Sequence, residues 1–377
     1  MSKNPLIIVP IEPLEERYSA SWYRNFPELF RAYECSVRVV DGKALEDTVK
    51  VGTFLDINST VHYKMTQLQE IARMFHAGEV EQDTVFFFGD VEFWGLESVR
   101  LLAQMNGVRI KMCGFLHAGS YTKEDAFAIA APYQKYTEVG WAAALDKVFV
   151  GSEYHQETFF KRRLAPLGEQ AKQLVTKLIV TKNPLFMNDY PVRRPFAQKQ
   201  KKVLLTNRFD SEKRPGETLS LFQALKAEFP DWEFVITTGR SALERSNAPD
   251  LVRRARALEQ AGVVTIKDGL TKDQYHNELS EAAVMVSHSI EENYGYCIAE
   301  ALLYGVVPLL RRGLSHDEFV EDDLRLLFDT EQSPDNDLMK ARNLLRSFGT
   351  ESWPHPPKLD TSGARSIVLN VLQLFPA

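Results

Sequence analysis

The chain has 377 residues, of which 44% are hydrophobic and 25% charged, and a formal net charge of −6. That length favours two domains, and that composition excludes a disordered or fibrous chain. No stretch reaches the roughly 18 uninterrupted apolar residues of a membrane span; the opening run at 6–9 is too short for a secretory leader, so a cytoplasmic protein is expected.

Along the first half, short apolar runs alternate with helical patterns, as βαβ units on a parallel sheet would. Strands are expected at 6–9, 36–40, 85–88, 110–116, 148–150 and 178–180. Helices are expected at 65–75 and 96–105, and an amphipathic one follows Gly151 and Ser152. Residues 183–202, rich in Pro, Arg and Lys without a period, read as an interdomain connection. A second series then places strands at 203–205, 232–236, 263–266, 284–287 and 306–310, with helices at 217–229 and 274–283. A helix at 337–348, a Pro-rich bend and a last helix at 362–374 complete the chain. Two α/β halves predict Rossmann-like domains at 1–190 and 200–350, facing each other across a cleft.

Charge is unevenly spread. Residues 151–202 hold eleven basic and four acidic side chains, a local charge of +7, which leaves −13 for the rest. Such a segment can draw a polyanion to one face, or it can be a solvated helix and linker. The three cysteines, Cys35, Cys113 and Cys297, form no CxxC pair and suit buried thiols in a reducing compartment. No P-loop or GxGxxG follows any strand, and no GxSxG elbow is present. The histidines show no HxxxH spacing. Asp335-Asn336-Asp337 is formally a DxD, but it lies where a helix starts and reads as a cap. No metal site is expected.

The densest chemistry lies at 287–301. A strand ends at Ser287, a loop holds Glu292, Asn293 and Tyr294, and a helix begins near Gly295. Free N–H groups at such a helix start suit a phosphate. Glu300, more than one turn further on, can accept bonds from ribose hydroxyls, and Glu292 from sugar hydroxyls.

The stretch from Glu292 to Glu300, followed by Gly305-Val306-Val307-Pro308, resembles the E-x7-E signature of retaining GT-B glycosyltransferases (group 1). Asn293 replaces the usual Gly, and Tyr294 the usual Phe. Upstream, 203–213 resembles the same family's strand followed by Gly-Arg-Leu and Glu-Lys-Gly, with Asn207 for the first Gly and Arg214 for the last. The resemblance implies that Arg208 and Lys213 bind the donor diphosphate, by charge-assisted bonds in a metal-free site. It implies that Asp268 and Gly269 receive the nucleobase, that Asn293, Tyr294, Gly295, Tyr296 and Glu300 line the donor site, and that Glu292 faces the sugar. The implied fold is GT-B, with a C-terminal helix at about 360–377 returning to the N-terminal domain. The implied enzyme is a hexosyl- or pentosyltransferase that uses a nucleoside diphosphate sugar, UDP-sugar favoured, and no cofactor.

On the acceptor side, the resemblance places His117 close to the transferred sugar. Asp90 and Glu92 follow the strand at 85–88, where α/β folds bind ligands and where a carboxylate can deprotonate or position a hydroxyl. The usual Gly-Gly turn after the first strand is missing. Residues 12–22 and 93–97 are similar to bacteriophage-encoded glycosyltransferases that decorate hydroxymethylated DNA bases. That similarity implies double-stranded DNA as partner, the host cytoplasm as location and a flipped base as acceptor; the +7 segment, including Arg162 and Arg163, fits it. The run at 159–163 can also be read as the basic, hydrophobic surface helix of lipid-glycosylating members. A glycan or lipid-linked acceptor is therefore an alternative. A nucleotide-sugar-binding protein without turnover, or an epimerase, is another.

Overall fold

The computed structural model describes residues 4–14, 17–45, 56–123, 126–190, 198–238, 243, 246–320, 323, 326–328 and 333–376. Of the residues singled out above, Glu15, Glu16, Arg193 and Arg194 lie outside them. The chain divides into two units. Described residues up to Asp189 form the first together with those from Asp360 on, and Tyr190–Leu359 forms the second.

Unit one is built on a six-stranded parallel sheet, and buried strands read as continuous apolar runs because helices cover both faces. Its strands are β1 (Pro5–Val9), β2 (Ser36–Val39), β3 (Thr84–Phe88), β4 (Ile110–Phe115), β5 (Lys147–Val150) and β6 (Leu178–Val180), in the order β2-β1-β3-β4-β5-β6. β3, with the sequence TVFFF, is buried at every residue. Between the strands run α1 (Tyr18–Ala32), α2 (Ile57–His76), α3 (Leu96–Met105), α4 (Ala131–Ala144), α5 (Glu153–Phe159) and α6 (Ala171–Val175). The strand order reverses between β1 and β3, so the crevice at their C-terminal ends is where this topology takes ligands.

In unit two the order is β12-β11-β10-β7-β8-β9, again all parallel. The strands are β7 (Gln200–Leu205), β8 (Glu233–Thr237), β9 (Thr265–Lys267), β10 (Ala282–Ser287), β11 (Val307–Arg311) and β12 (Leu327–Phe328). Counted within the unit, that is the 6-5-4-1-2-3 order of a Rossmann sheet, with its switch point between β7 and β10. The helices are α7 (Pro215–Glu228), α8 (Pro249–Gln260), α9 (Lys272–Glu281), α10 (Tyr296–Leu303), α11 (Asp317–Val320) and α12 (Pro334–Ser347). The last helix, α13 (Gly363–Leu372), belongs to unit one. It buries Ile367, Val368 and Val371, and Lys147 Nζ donates to Asn370 O at 2.8 Å and Gln373 Oε1 at 2.7 Å. A Cβ at Gly363 would stand 2.6 Å from the Asn183 carbonyl oxygen, so glycine permits this close approach.

Among the elements that differ from the sequence reading, four do so for a clear local reason. α2 starts at Ile57, eight residues before 65, capped by Asp56, which accepts from the Asn58 and Ser59 N–H groups. Its first turns escape an apolar pattern because their inward residues are Ser59, Thr60 and Lys64. α1 was not expected at all; Pro27 inside it breaks the usual signal. β9 begins at Thr265 rather than 263, because the Val263 N–H bonds the Leu258 carbonyl and closes α8 in a Schellman turn through left-handed Gly262. Finally, α9 stops at Glu281 and the chain enters β10 directly, so Ala282 and Ala283 are strand.

Candidate donor site and its acceptor-side counterpart

Unit two places every donor residue expected from the sequence except Asp268 and Gly269 on the segments that follow β7 and β10, the strands flanking its switch point, with Tyr296 and Glu300 in the first two turns of α10. Asn207 holds these two loops together: its Nδ2 donates to Ser287 Oγ at 2.9 Å, and its Oδ1 accepts from Cys297 Sγ at 3.4 Å. A side chain replaces the family's glycine here and performs a cross-brace.

Lys213 sits in a short 3-10 turn before α7, largely buried. Its ammonium donates to Glu292 Oε2 at 2.8 Å, to the Glu291 carbonyl at 2.8 Å and to Ser289 Oγ at 3.3 Å. An ammonium has three N–H groups, and these acceptors occupy all of them. The next residue, Arg214, adopts φ 49°, ψ 49°, the left-handed region that the family's glycine fills without strain. Arg208 is more exposed; its guanidinium bonds Glu212 Oε1 at 2.9 Å and Asp210 Oδ2 at 3.2 Å. Burial pushes the Glu212 carboxyl up, against Arg208 and Lys213.

Burial opposes charge on Glu292 as well. There the Lys213 ammonium prevails, helped by Arg208, and the carboxyl titrates below its ordinary range. Its loop is shaped by Gly295, at φ 94°, where an added Cβ would meet Ile298 Cδ1 at 3.0 Å and Glu292 Cγ at 3.2 Å. Ser315, in the turn after β11, donates to the Glu292 carbonyl at 3.2 Å and the Tyr294 carbonyl at 2.9 Å. α10 then opens at Tyr296 with its N-terminus beside the loop. Glu300, on the second turn, behaves oppositely to Glu292. Burial raises its carboxyl to about 6, opposed by Lys272 and by the Tyr275 and Tyr190 hydroxyls. One site thus holds one carboxyl lowered below its ordinary range and another raised to about 6.

Asp268 and Gly269 lie instead at the end of β9. Asp268 Oδ1 accepts from the Thr238 hydroxyl and from Gly269 N, closing the loop against the end of β8. Three residues outside the motifs reach this site: Tyr190, Ser315 and His316. His316 is fully buried, and its Nδ1–H donates to the Arg311 carbonyl at 2.7 Å; burial lowers its pKa, so the ring is neutral. None of the three carries a sequence signal, because each is set by tertiary placement alone. Asp335 and Asp337 occupy the first turn of α12, under Ser333 as cap residue, and Asp337 lies 3.6 Å from His288 Nε2. Among the described residues, no group of three His, Cys, Asp or Glu side chains is placed to hold a metal ion. Burial pushes the Cys297 thiol up to about 12 and Cys35 to about 11, and also raises Cys113.

In unit one, Asp90 and His117 follow β3 and β4. Asp90 Oδ2 accepts from Lys64 Nζ at 2.7 Å, and Oδ1 accepts from Glu92 N at 3.0 Å. Burial raises its carboxyl, but the Lys64 ammonium outweighs that and leaves it lowered, hence ionised. His117 Nε2 lies 2.8 Å from the Gly89 carbonyl, which can only accept; Nδ1 therefore receives the Tyr18 hydroxyl at 3.1 Å. Burial lowers its pKa, so the imidazole is neutral with both nitrogens engaged. Glu92 turns inward and accepts from Gln134 Nε2 at 2.6 Å. Glu12 is likewise buried, accepting from Thr60 at 2.8 Å and Ser59 at 3.3 Å.

Among the described residues, the basic segment does not present one free face. Arg163 pairs with fully buried Glu138 and donates to Ser120 Oγ at 3.0 Å, and Arg162 donates to the Tyr121 carbonyl. Lys161 pairs with Glu157 and Lys172 with Glu169, while Lys177 donates to the carbonyls closing α4. Lys201 pairs with Asp231, and Lys202, fully buried, with Glu278 and Glu281. The segment is also split between the two units. Replacing Arg163 by Met should strand the buried Glu138 charge at about 3–5 kcal/mol, lowering the melting temperature by about 10 °C. An unchanged thermal melt would show that Arg163 is available for a ligand instead.

Comparison with known proteins agrees with this geometry. Residues 187–346 match the family model described as glycosyl transferases group 1. No curated protein sequence matches the chain. Among solved structures, the catalytic domain of starch synthase IV from Arabidopsis thaliana, bound to ADP and acarbose, is 12% identical with a TM-score of 0.63, covering 98% of this chain and 95% of its own. Anabaena HepE in complex with UDP and glucose is 13% identical, with a TM-score of 0.55 and 99% and 96% covered. TarM is 15% identical with a TM-score of 0.51 over 82% of this chain, which spans only 56% of TarM's length. Among the described residues, no helix is long and apolar enough to cross a membrane. With two parallel six-stranded sheets of this order, the chain has the GT-B fold, and its residues 187–346 are similar to the glycosyl transferases group 1 domain.

Proposed function

We propose that the chain transfers a sugar from a nucleoside diphosphate sugar, UDP-sugar favoured, to a hydroxyl acceptor with retention of configuration. The observation that carries this reading is the Lys213–Glu292 ion pair between the ends of β7 and β10, with Arg208, Gly295 and Glu300 grouped around the same switch point. Solved relatives of the fold hold ADP with acarbose and UDP with glucose, which supports a nucleotide-sugar donor.

In this reading Arg208, Lys213 and the N–H groups at the start of α10 stabilise the departing diphosphate as its negative charge develops. For Lys213 that means exchanging one of its three present acceptors for a phosphate oxygen. Glu300 accepts from the ribose hydroxyls, Glu292 from a sugar hydroxyl, and the loop at Asp268 and Gly269 receives the base. Asn293, Tyr294 and Tyr296 shape the wall that carries these groups. No side chain is assigned as covalent nucleophile. In unit one, ionised Asp90 is the group suited to accept a proton from an acceptor hydroxyl, with Lys64 setting its charge. His117, neutral and bonded on both nitrogens, suits a hydrogen-bonding role rather than that of base.

A hydroxymethylated base in phage DNA is the acceptor proposed from the sequence. The partners found for Arg162, Arg163 and the neighbouring lysines remove its electrostatic support, so a glycan or lipid-linked hydroxyl stands beside it. Incubation with UDP- and GDP-sugars, with and without hydroxymethylated duplex DNA or a glycan acceptor, separates these. Sugar incorporated into DNA establishes the first acceptor; incorporation into glycan alone excludes it. Tight donor binding with neither transfer nor hydrolysis would instead identify a binding protein.

A further inference from the structure

Glu300 is contacted by a residue that belongs to neither motif. Tyr190 lies at the start of unit two, and its hydroxyl donates to Glu300 Oε1 at 3.4 Å. Its ring leans on the His276 imidazole, 5.4 Å between centroids, and His276 packs in turn against Tyr275 and Tyr304. The residue just before it, Asp189, is anchored separately in unit one, where its carboxylate accepts from Ser21 Oγ and from Asn25 Nδ2 at 3.1 Å. Two successive residues therefore fix the crossing of the chain, and the second does so on a carboxylate of the donor site.

We infer that Tyr190 is a positioning residue for nucleotide binding, orienting the Glu300 carboxylate so that its remaining lone pairs meet the ribose hydroxyls. The inference rests on the reading of Glu300 as the ribose acceptor. A carboxylate offers about four lone-pair directions. Tyr190 occupies one on Oε1 and the Tyr275 hydroxyl engages the group as well, which restricts its rotation and leaves its remaining lone pairs for ligand. A hydroxyl that donates to the charged form also favours that form. The other groups that influence Glu300 are Lys272 and Tyr275 from α9 and Cys297 one turn earlier on α10. Of these, Lys272 and Tyr275 act with Tyr190 to hold the carboxylate charged, against burial.

The test uses the full chain, with UDP and 2′,3′-dideoxy-UDP as probes in calorimetric titrations from pH 5 to 8. Tyr190→Phe keeps the ring on His276 and removes only the hydroxyl. It should weaken UDP by about three- to tenfold, the scale of one ordinary net hydrogen bond, as suits a contact of 3.4 Å. It should also move the acid midpoint of UDP binding upward, while leaving the dideoxy analogue bound as before. A merely structural role for the ring predicts neither the pH displacement nor the distinction between the two nucleotides. Glu300→Gln serves as the companion variant. If it still prefers UDP over the dideoxy analogue as the native chain does, the ribose reading falls and this inference with it. If Glu300→Gln loses that preference but Tyr190→Phe matches the native chain in affinity and midpoint, the inference alone is overturned.

Discussion

Lys213→Met loses about three orders of magnitude in transfer rate, the scale set by removing one charge-stabilising donor from a preorganised site and disordering its neighbours. The same change destabilises the fold, because Glu292 keeps its charge in a largely buried position with the partner gone. Breaking such a pair costs about 3 kcal/mol. The sign with pH follows from the lowered Glu292 carboxyl: the stabilisation is present above the ordinary glutamate range and disappears as pH falls through it. The decisive measurement is a double-mutant cycle with Glu292→Gln. The double variant should recover most of the lost thermal stability, since no stranded charge remains, and none of the transfer. A double variant that regains activity would mean that Lys213 serves only to neutralise Glu292.

Glu300→Gln should separate function from stability in the opposite direction. Donor binding falls by at least tenfold if the carboxylate accepts two ribose hydroxyls, as hydrogen bonds to charged groups are worth about 1.5–3 kcal/mol each. Stability, however, rises. Burial lifts the Glu300 carboxyl from 4.5 to about 6, so the folded protein holds this proton more tightly than the unfolded chain. Stability is then lost as pH rises through that interval, about 2 kcal/mol in full by neutral pH. Melting curves of the native and variant chains should coincide near pH 4.5 and diverge as pH approaches 7, with the variant the more stable. Donor binding by the native chain should weaken as pH falls through 6, where Glu300 takes up its proton. A variant less stable than the native chain at pH 7 would contradict this account of its environment.

Unit two was readable because its donor groups are charged residues and glycines at fixed intervals from strand ends. Lys213, Glu292 and Glu300 can be placed by counting, and the left-handed Gly295 explains why a glycine stands in that loop. Unit one yields its sheet to the same reading, since β3 and β5 are apolar runs, but not its site. The inward face of α2 carries Ser59, Thr60, Lys64 and Gln67, which hold Glu12, Asp90 and two backbone carbonyls. A face that buries polar groups to position other polar groups has no apolar period to detect. The eleven basic residues are harder to read: composition records charge but not its partner, and Lys202 and Arg163 are paired in the interior. Tyr190, Ser315 and His316 are ordinary residues until the fold brings them to the donor loops.

The placement of α13 bears on how the molecule comes into being. Its buried Ile367, Val368 and Val371, and the Lys147 bonds to Asn370 and Gln373, complete a unit whose sheet was synthesised almost 200 residues earlier. During translation, residues 190–359 emerge as one continuous stretch and can close on themselves first, because domains fold as units when their sequence is available. The earlier-made half keeps its surface for α13 uncovered until that helix has itself been made. Burial of unit one is thus completed only after the whole of unit two has been made.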